Sequence, residues 1–373
     1  MTPTFGLLST FPPTQCGLAT FTAALQRELG AAGPRSGVVR VLDHAQGCAD
    51  ASVIEHMIHG SPHAVESAIA ALNTFDVVIV QHEYGIYDGA DGDSVIGVLK
   101  GLEVPSIVVL HTVLADPTDH QREVLEQVIG ASSVGVVMTE TARRRLFKCY
   151  DVGSANVVVI PHGAPAAATV PPVHGQVPLL LTWGLLGPGK GIERVIDALP
   201  AVREIEPRPH YLVLGDTHPK VLERHGERYR QSLVERAGRL GVGDMVTIRG
   251  GYLDVERLRS LIAAADVVVL PYDTREQVTS GVLIEAVAAG RPVIATAFAH
   301  ARELLSTGAG LLVDHDDRHA MARAIRRVLR EPGVAAAMSA RATELAGDLL
   351  WSAVGDRYRT LAEQLVLRSS AVA

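Results

Sequence analysis

The most reactive-looking stretch of the chain spans residues 267–296 and reads VVVLPYDTREQVTSGVLIEAVAAGRPVIAT. Glu285 falls one or two turns inside a helix-like run, and Gln277 lies in the loop eight positions earlier. A carboxylate at that depth suits a ribose diol, while the loop amides at Thr279, Ser280 and Gly281 suit a diphosphate. A solvated helix glutamate fits the same spacing, and is the commoner fate of the residue type. Lys190 stands in GLLGPGKG, where Gly184, Gly189 and Lys190 meet most of a phosphate-loop pattern. Gly191 occupies the position where Ser or Thr would hold magnesium, which excludes a nucleoside triphosphatase of that type. His82, Glu83 and His111 directly follow apolar runs. A single His in such a place is usually structural; two are harder to dismiss. No His-x-x-x-His or carboxylate pair at ligand spacing accompanies them, so a metal site is not expected.

These residues need elements to carry them. Residues 267–270 form a continuous apolar run of the kind a strand buried on both faces shows. Pro271 ends it, Thr279 and Ser280 stand at helix N-cap positions, and Gly290 with Pro292 stops the helix before a Val-Ile strand. This strand–loop–helix–strand unit places a helix N-terminus at the carboxyl end of a strand, where open α/β sheets bind ligands. Similar short runs at residues 4–8, 38–42, 75–80, 105–110, 134–138 and 157–160 are expected strands of a first half. Runs at 179–183, 211–214, 245–248, 267–270 and 310–313 belong to a second. Residues 163–178, rich in Ala and Pro, read as the linker. Polar residues recur at the carboxyl ends of the strands, which predicts two doubly wound α/β halves. Gly17 closes a Pro- and Gly-bearing loop after the first strand, and a tight turn accounts for it as well as a ligand does. Trp351, Val354, Tyr358, Leu361 and Leu365 follow helical spacing near the end of the chain.

The 267–296 stretch resembles the nucleotide-sugar site of retaining glycosyltransferases of family 4, which have the GT-B fold. Their pattern is Glu, seven residues, Glu, then an Ala-rich helix, Gly, a basic residue, Pro and a Val-Ile strand. Glu285, Ala286, Gly290, Arg291, Pro292, Val293 and Ile294 match it; the first Glu is replaced by Gln277, with Glu276 one place off register. The same resemblance covers residues 184–191, where a Gly-Arg pair and a Lys-Gly pair contact the donor diphosphate. Lys190 and Gly191 match, and Leu185 stands in the Arg position, leaving Arg249 or Arg275 to substitute for the missing cation. The resemblance implies that Glu285 holds the ribose and that Gln277 lies near the donor sugar. It also implies that Gly17 approaches the donor phosphates or the acceptor, and that His111 lies close to the transferred sugar. His82 and Glu83 share that edge as candidates.

Composition narrows the classes. Of 373 residues 47% are hydrophobic, enough for two full cores. Cys16, Cys48 and Cys149 lack metal or disulfide spacing and fit a reducing cytoplasm. The first residues lack the marks of a signal peptide, and no run approaches the roughly 20 apolar residues of a membrane span. Up to Pro165 there are 9 Lys and Arg against 17 Asp and Glu, a balance that argues against nucleic acid as partner. Arg143, Arg144, Arg145 and Lys148 cluster on a helix starting near Thr139. A solvated face is the default reading; a weak peripheral membrane contact is the alternative, without an aromatic apolar face to support it.

The expected architecture is therefore α/β of GT-B type, two facing Rossmann-like domains with a cleft. Residues 1–165 form an acceptor-side domain and residues 177–350 a nucleotide-sugar domain, with a C-terminal helix, 351–373, packing back on the first. The expected function is transfer of a hexosyl group from a nucleoside diphosphate sugar to a hydroxyl acceptor, small molecule or glycan, with retention and without metal or cofactor. His111 and Gln277 would be catalytic. An epimerase of the same fold and a nucleotide-sugar-binding protein with impaired catalysis are the rivals. A dinucleotide-dependent oxidoreductase is disfavoured by the missing GxGxxG after the first strand. The sequence carries no signal for oligomeric state.

Overall fold

The computed structural model describes residues 2–31, 33, 35–47, 50–153, 156–166, 177–251 and 254–372. Cys48 and residues 167–176 of the expected linker lie outside these. The chain divides into one unit of Met1–Gly163 with Trp351–Ala373 and a second of Ala164–Leu350.

The first unit is built on β1 (Phe5–Ser9), β2 (Ser36–Leu42), β3 (Val53–Ile58), β4 (Val77–His82), β5 (Ser106–Leu110), β6 (Val134–Val137) and β7 (Val157–Val159). They form one sheet in the order β3-β2-β1-β4-β5-β6-β7, with every pairing parallel. β1, β4, β5 and β6 are buried along their whole length, because helices cover both faces of a parallel sheet. One face carries Phe5, Leu7, Val77, Ile79, Ile107 and Val109, packed by Phe21, Leu25, Trp351, Val354 and Tyr358. The last three belong to the helix Trp351–Val372, whose apolar stripe is thus spent on this sheet.

The second unit adds β8 (Leu179–Trp183), β9 (His210–Leu214), β10 (Val246–Arg249), β11 (Val267–Leu270), β12 (Val293–Thr296) and β13 (Gly310–Val313). Their order is β10-β9-β8-β11-β12-β13, again parallel throughout. Alternation along each strand feeds two cores: Leu180, Val267, Val269 and Ile294 on one face, Leu181, Trp183, Val268 and Leu270 on the other.

In each sheet the strand order reverses once, between β1 and β4 and between β8 and β11. Ligands of open α/β sheets bind outside the carboxyl ends of the strands at such a point. Both candidate regions stand there. β3 was not anticipated: VIEHMI mixes polar with apolar residues and forms an edge strand that is only half-buried. β4 runs two residues further than its apolar run suggested, which takes Gln81 and His82 out of the loop and into the sheet. Among the described residues no helix is long and apolar enough to cross a membrane. Phe147 corrects the reading of the basic helix Glu140–Cys149: it is 47% exposed between Arg144 and Lys148, so an aromatic does accompany the charges.

Candidate active site

In the second unit the loop after β8 folds back on the end of β11. Gly191 has φ +64°, and a Cβ there would lie 1.9 Å from the Pro271 carbonyl oxygen, so only glycine fits. Asp273 donates its amide to the Gly189 carbonyl at 2.9 Å and closes the same contact. Lys190 is carried between them, its Nζ 4.8 Å from the centre of the Tyr272 ring. Among the described residues no carboxylate pairs with Lys190, and burial holds its ammonium below the usual lysine range.

Ser280, not Thr279, is the N-cap of the helix Gly281–Ala288: its Oγ accepts from the Leu283 amide at 3.3 Å. The Ser280 amide donates to Nδ1 of buried His300 at 2.9 Å. The cap leaves the Gly281 and Val282 amides unused within the helix. Thr279 Oγ1 is buried with no partner among the described residues.

One turn further, Glu285 is half-buried. Its Oε2 accepts a 3.1 Å hydrogen bond from Trp183 Nε1, contributed by the end of β8. Burial pushes the carboxyl up to about 7, and the Trp183 bond opposes that rise. A solvated helix glutamate would show neither feature. Trp183, Tyr272, Ser280, Lys190 and Glu285 therefore meet where β8 and β11 diverge.

Gln277 and Thr279 flank this group. Gln277 Nε2 donates to the Thr279 carbonyl at 2.8 Å, and its own carbonyl accepts from the His300 amide at 3.0 Å. The amide side chain is thus tied to its own loop. Arg275, a candidate for the cation missing at Leu185, bonds both oxygens of Asp316 at 2.7 and 2.8 Å. Arg249 is exposed at the end of edge strand β10.

In the first unit His111 follows β5, and its Nε2 lies 2.6 Å from Gln81 Oε1 on β4. Because the amide oxygen can only accept, Nε2 carries the proton and Nδ1 is the acceptor. Desolvation, aided by His162 and His82, lowers the imidazole to about 3, so it is neutral at working pH. Phe21 packs edge-on against it, with ring centres 4.9 Å apart. His82 is the last residue of β4; its ring lies on the opposite face from Gln81, is 1% exposed and packs against Tyr84. Glu83 accepts from Thr112 Oγ1 at 2.5 Å. Gly17 opens the helix Gly17–Ala31 with φ outside the left-handed region, and a Cβ there would meet nothing within 4 Å. The tight-turn account of Gly17 therefore fails.

Trp183, Tyr272, His300 and Gln81 belong to no motif visible in the sequence. The signal available for the first two was position: each lies at or just past the carboxyl end of a strand at the switch point.

Residues 177–331 match the family model described as Glycosyl transferases group 1. The chain is 28% identical over 255 residues to the D-inositol 3-phosphate glycosyltransferase of Kineococcus radiotolerans, covering 62% of this chain and 57% of that protein. It is 32% identical over 170 residues to the GDP-mannose-dependent alpha-(1-6)-phosphatidylinositol monomannoside mannosyltransferase of Mycolicibacterium smegmatis, covering 44% and 42%. The chain thus spans about half the length of these curated relatives. Among solved structures, Anabaena HepE with bound UDP superposes with a TM-score of 0.76 at 16% identity, over 97% of this chain and 100% of that one. Sucrose-phosphate synthase from Thermosynechococcus elongatus gives 0.77 at 20%, over 98% and 99%. The fold is GT-B, and residues 177–331, which carry the Glu285 and Lys190 motifs, are similar to glycosyl transferases of group 1.

Proposed function

We propose that the protein is a glycosyltransferase that moves a hexosyl group from a nucleoside diphosphate sugar to a hydroxyl acceptor, with retained anomeric configuration and without metal. The observation that carries this reading is Glu285. A half-buried carboxyl at the switch point, with one oxygen held by Trp183, keeps its other oxygen for a ribose hydroxyl. Lys190 and the Gly281 and Val282 amides supply the positive potential for a leaving diphosphate. HepE was crystallised with UDP and the mycobacterial relative is named as GDP-mannose-dependent, so both bases are candidates for the donor. His111, neutral and with Nδ1 as acceptor, would serve the transferred sugar and the incoming hydroxyl. A cytoplasmic location suits a donor of this kind.

The reading is tested by following donor consumption and acceptor glycosylation with GDP- and UDP-hexoses, with and without magnesium. Transfer that proceeds equally in chelator is the expected result. A changed hexose configuration without any acceptor would instead identify an epimerase. One observation favours a second reading, a nucleotide-sugar-binding protein: Gln277 replaces a carboxylate and is turned onto its own loop. Donor binding with no turnover on any acceptor would establish it.

A further inference from the structure

Arg40, on β2, is 0% exposed. Its Nε donates to the Phe11 carbonyl at 3.1 Å, and its Nη2 to Thr14 Oγ1 at 2.9 Å and Gln46 Oε1 at 3.4 Å. All three acceptors are neutral, and among the described residues no carboxylate lies within ion-pair distance. Asp43, the next acid along the chain, is 82% exposed and pairs with His59. Nη1 has no partner among the described residues.

Two more unpaired groups stand beside it. Ser9 is the register partner of Arg40 on β1, is 0% exposed, and its Oγ has no partner among the described residues. Leu8 pairs with Val80, so the next step of that register brings Gln81 beside Ser9. Gln81 is also 0% exposed; its oxygen serves His111 and its Nε2 is unpaired. Leu7, Val38 and Ile79, two residues before each, share one core, so Ser9, Arg40 and Gln81 share its face.

A guanidinium cannot shed its charge. Burying one without a countercharge costs several kcal/mol, and each unpaired donor adds to that cost. Three adjacent strands thus present a cation, a hydroxyl and an amide N–H in one row, at the switch point between β1 and β4. Chain groups hold Nε and Nη2, while Nη1 keeps two N–H donors for something else. We propose that Arg40, Ser9 and Gln81 form a binding site for a compact oxyanion of the phosphate type, free or as a monoester. The site lies in the first unit, apart from Lys190 and Glu285, and stands without the transferase reading. The segment carrying Phe11 and Thr14 covers Arg40, so an ion enters as that segment moves and must be given time to equilibrate.

The test is thermal unfolding of the full chain with inorganic phosphate, glycerol 3-phosphate or chloride at about 10 mM, well below the range of general salt effects. Wild type, Arg40→Met and Ser9→Ala are compared; an anion held by Lys190 affects all three alike and cancels. Phosphate or its monoester should raise the unfolding temperature of wild type by about 2–4 °C more than that of Arg40→Met, with Ser9→Ala in between. Whichever of the two anions acts tells a free ion from an esterified one. Equal shifts in all three proteins, no shift in wild type, or an equal shift with chloride would overturn the proposal. If Arg40→Met does not fold, Ser9→Ala decides: a shift as large as wild type's counts against the site. GDP and UDP are run alongside, since loss of nucleotide stabilisation would count against the transferase reading and leave this one intact.

Discussion

Glu285 couples burial to protonation. Its folded value, about 7, lies above the ordinary 4.5, so the neutral carboxyl favours the fold below about pH 4.5 and that contribution is lost as pH rises through 7. Ribose hydroxyls donating to the carboxylate favour the charged form, so nucleotide affinity should rise between pH 6 and 8 with a midpoint of about 7. The diphosphate titrates nearby as well. The readout is therefore the difference between wild type and Glu285→Gln, in calorimetry in two buffers that differ in ionisation enthalpy. Proton release that is identical in both proteins would remove Glu285 from the contact. Glu285→Ala should weaken nucleotide binding by about 1–3 kcal/mol. Gln277→Ala, by contrast, should lower turnover about tenfold, roughly 1.4 kcal/mol, with little effect on bare diphosphate. Full activity in that variant and in Glu276→Ala would take the loop out of the mechanism. Glu285 and Lys190 were legible in the sequence because their motifs are local. The partners that fix them, Trp183 and Tyr272, were not, since each reaches its contact across strands distant in the chain.

The elements that place these side chains are legible for a physical reason. A strand buried on both faces must be apolar throughout, so the runs at β1, β5, β8 and β11 mark themselves. An edge strand such as β3 is under no such demand, and it escaped. The end of β4 escaped likewise, because Gln81 and His82 are polar residues that the sheet buries. At this scale the critical joint is the contact of Gly191 with Pro271. A Cβ at 1.9 Å from a backbone oxygen cannot be absorbed by a side-chain shift. Gly191→Ala should therefore displace the Lys190 loop and destabilise the second unit by about 2 kcal/mol or more. Circular dichroism melts and nucleotide binding should both register it; a variant with wild-type stability and affinity would show that the loop is not held as described.

At the scale of the molecule, each unit carries its own sheet and core. Trp351, 9% exposed, packs in the first unit against Phe21 at 5.0 Å, and a Cβ on Gly163 would lie 2.3 Å from its ring. Trp351→Ala should cost about 3–5 kcal/mol in the first unit and leave nucleotide affinity in the second within twofold. A large loss of affinity would show that the units are not energetically separate. The proposed activity requires a nucleoside diphosphate held in the second unit by Glu285 and Lys190. Calorimetric titration of GDP and UDP into wild type, Glu285→Gln and Lys190→Met, each with magnesium and with chelator, tests it directly. One site per chain is predicted for at least one of the nucleotides, unaffected by the metal and weakened about tenfold or more in both variants. No binding of either nucleotide, or binding that neither substitution changes, would contradict it.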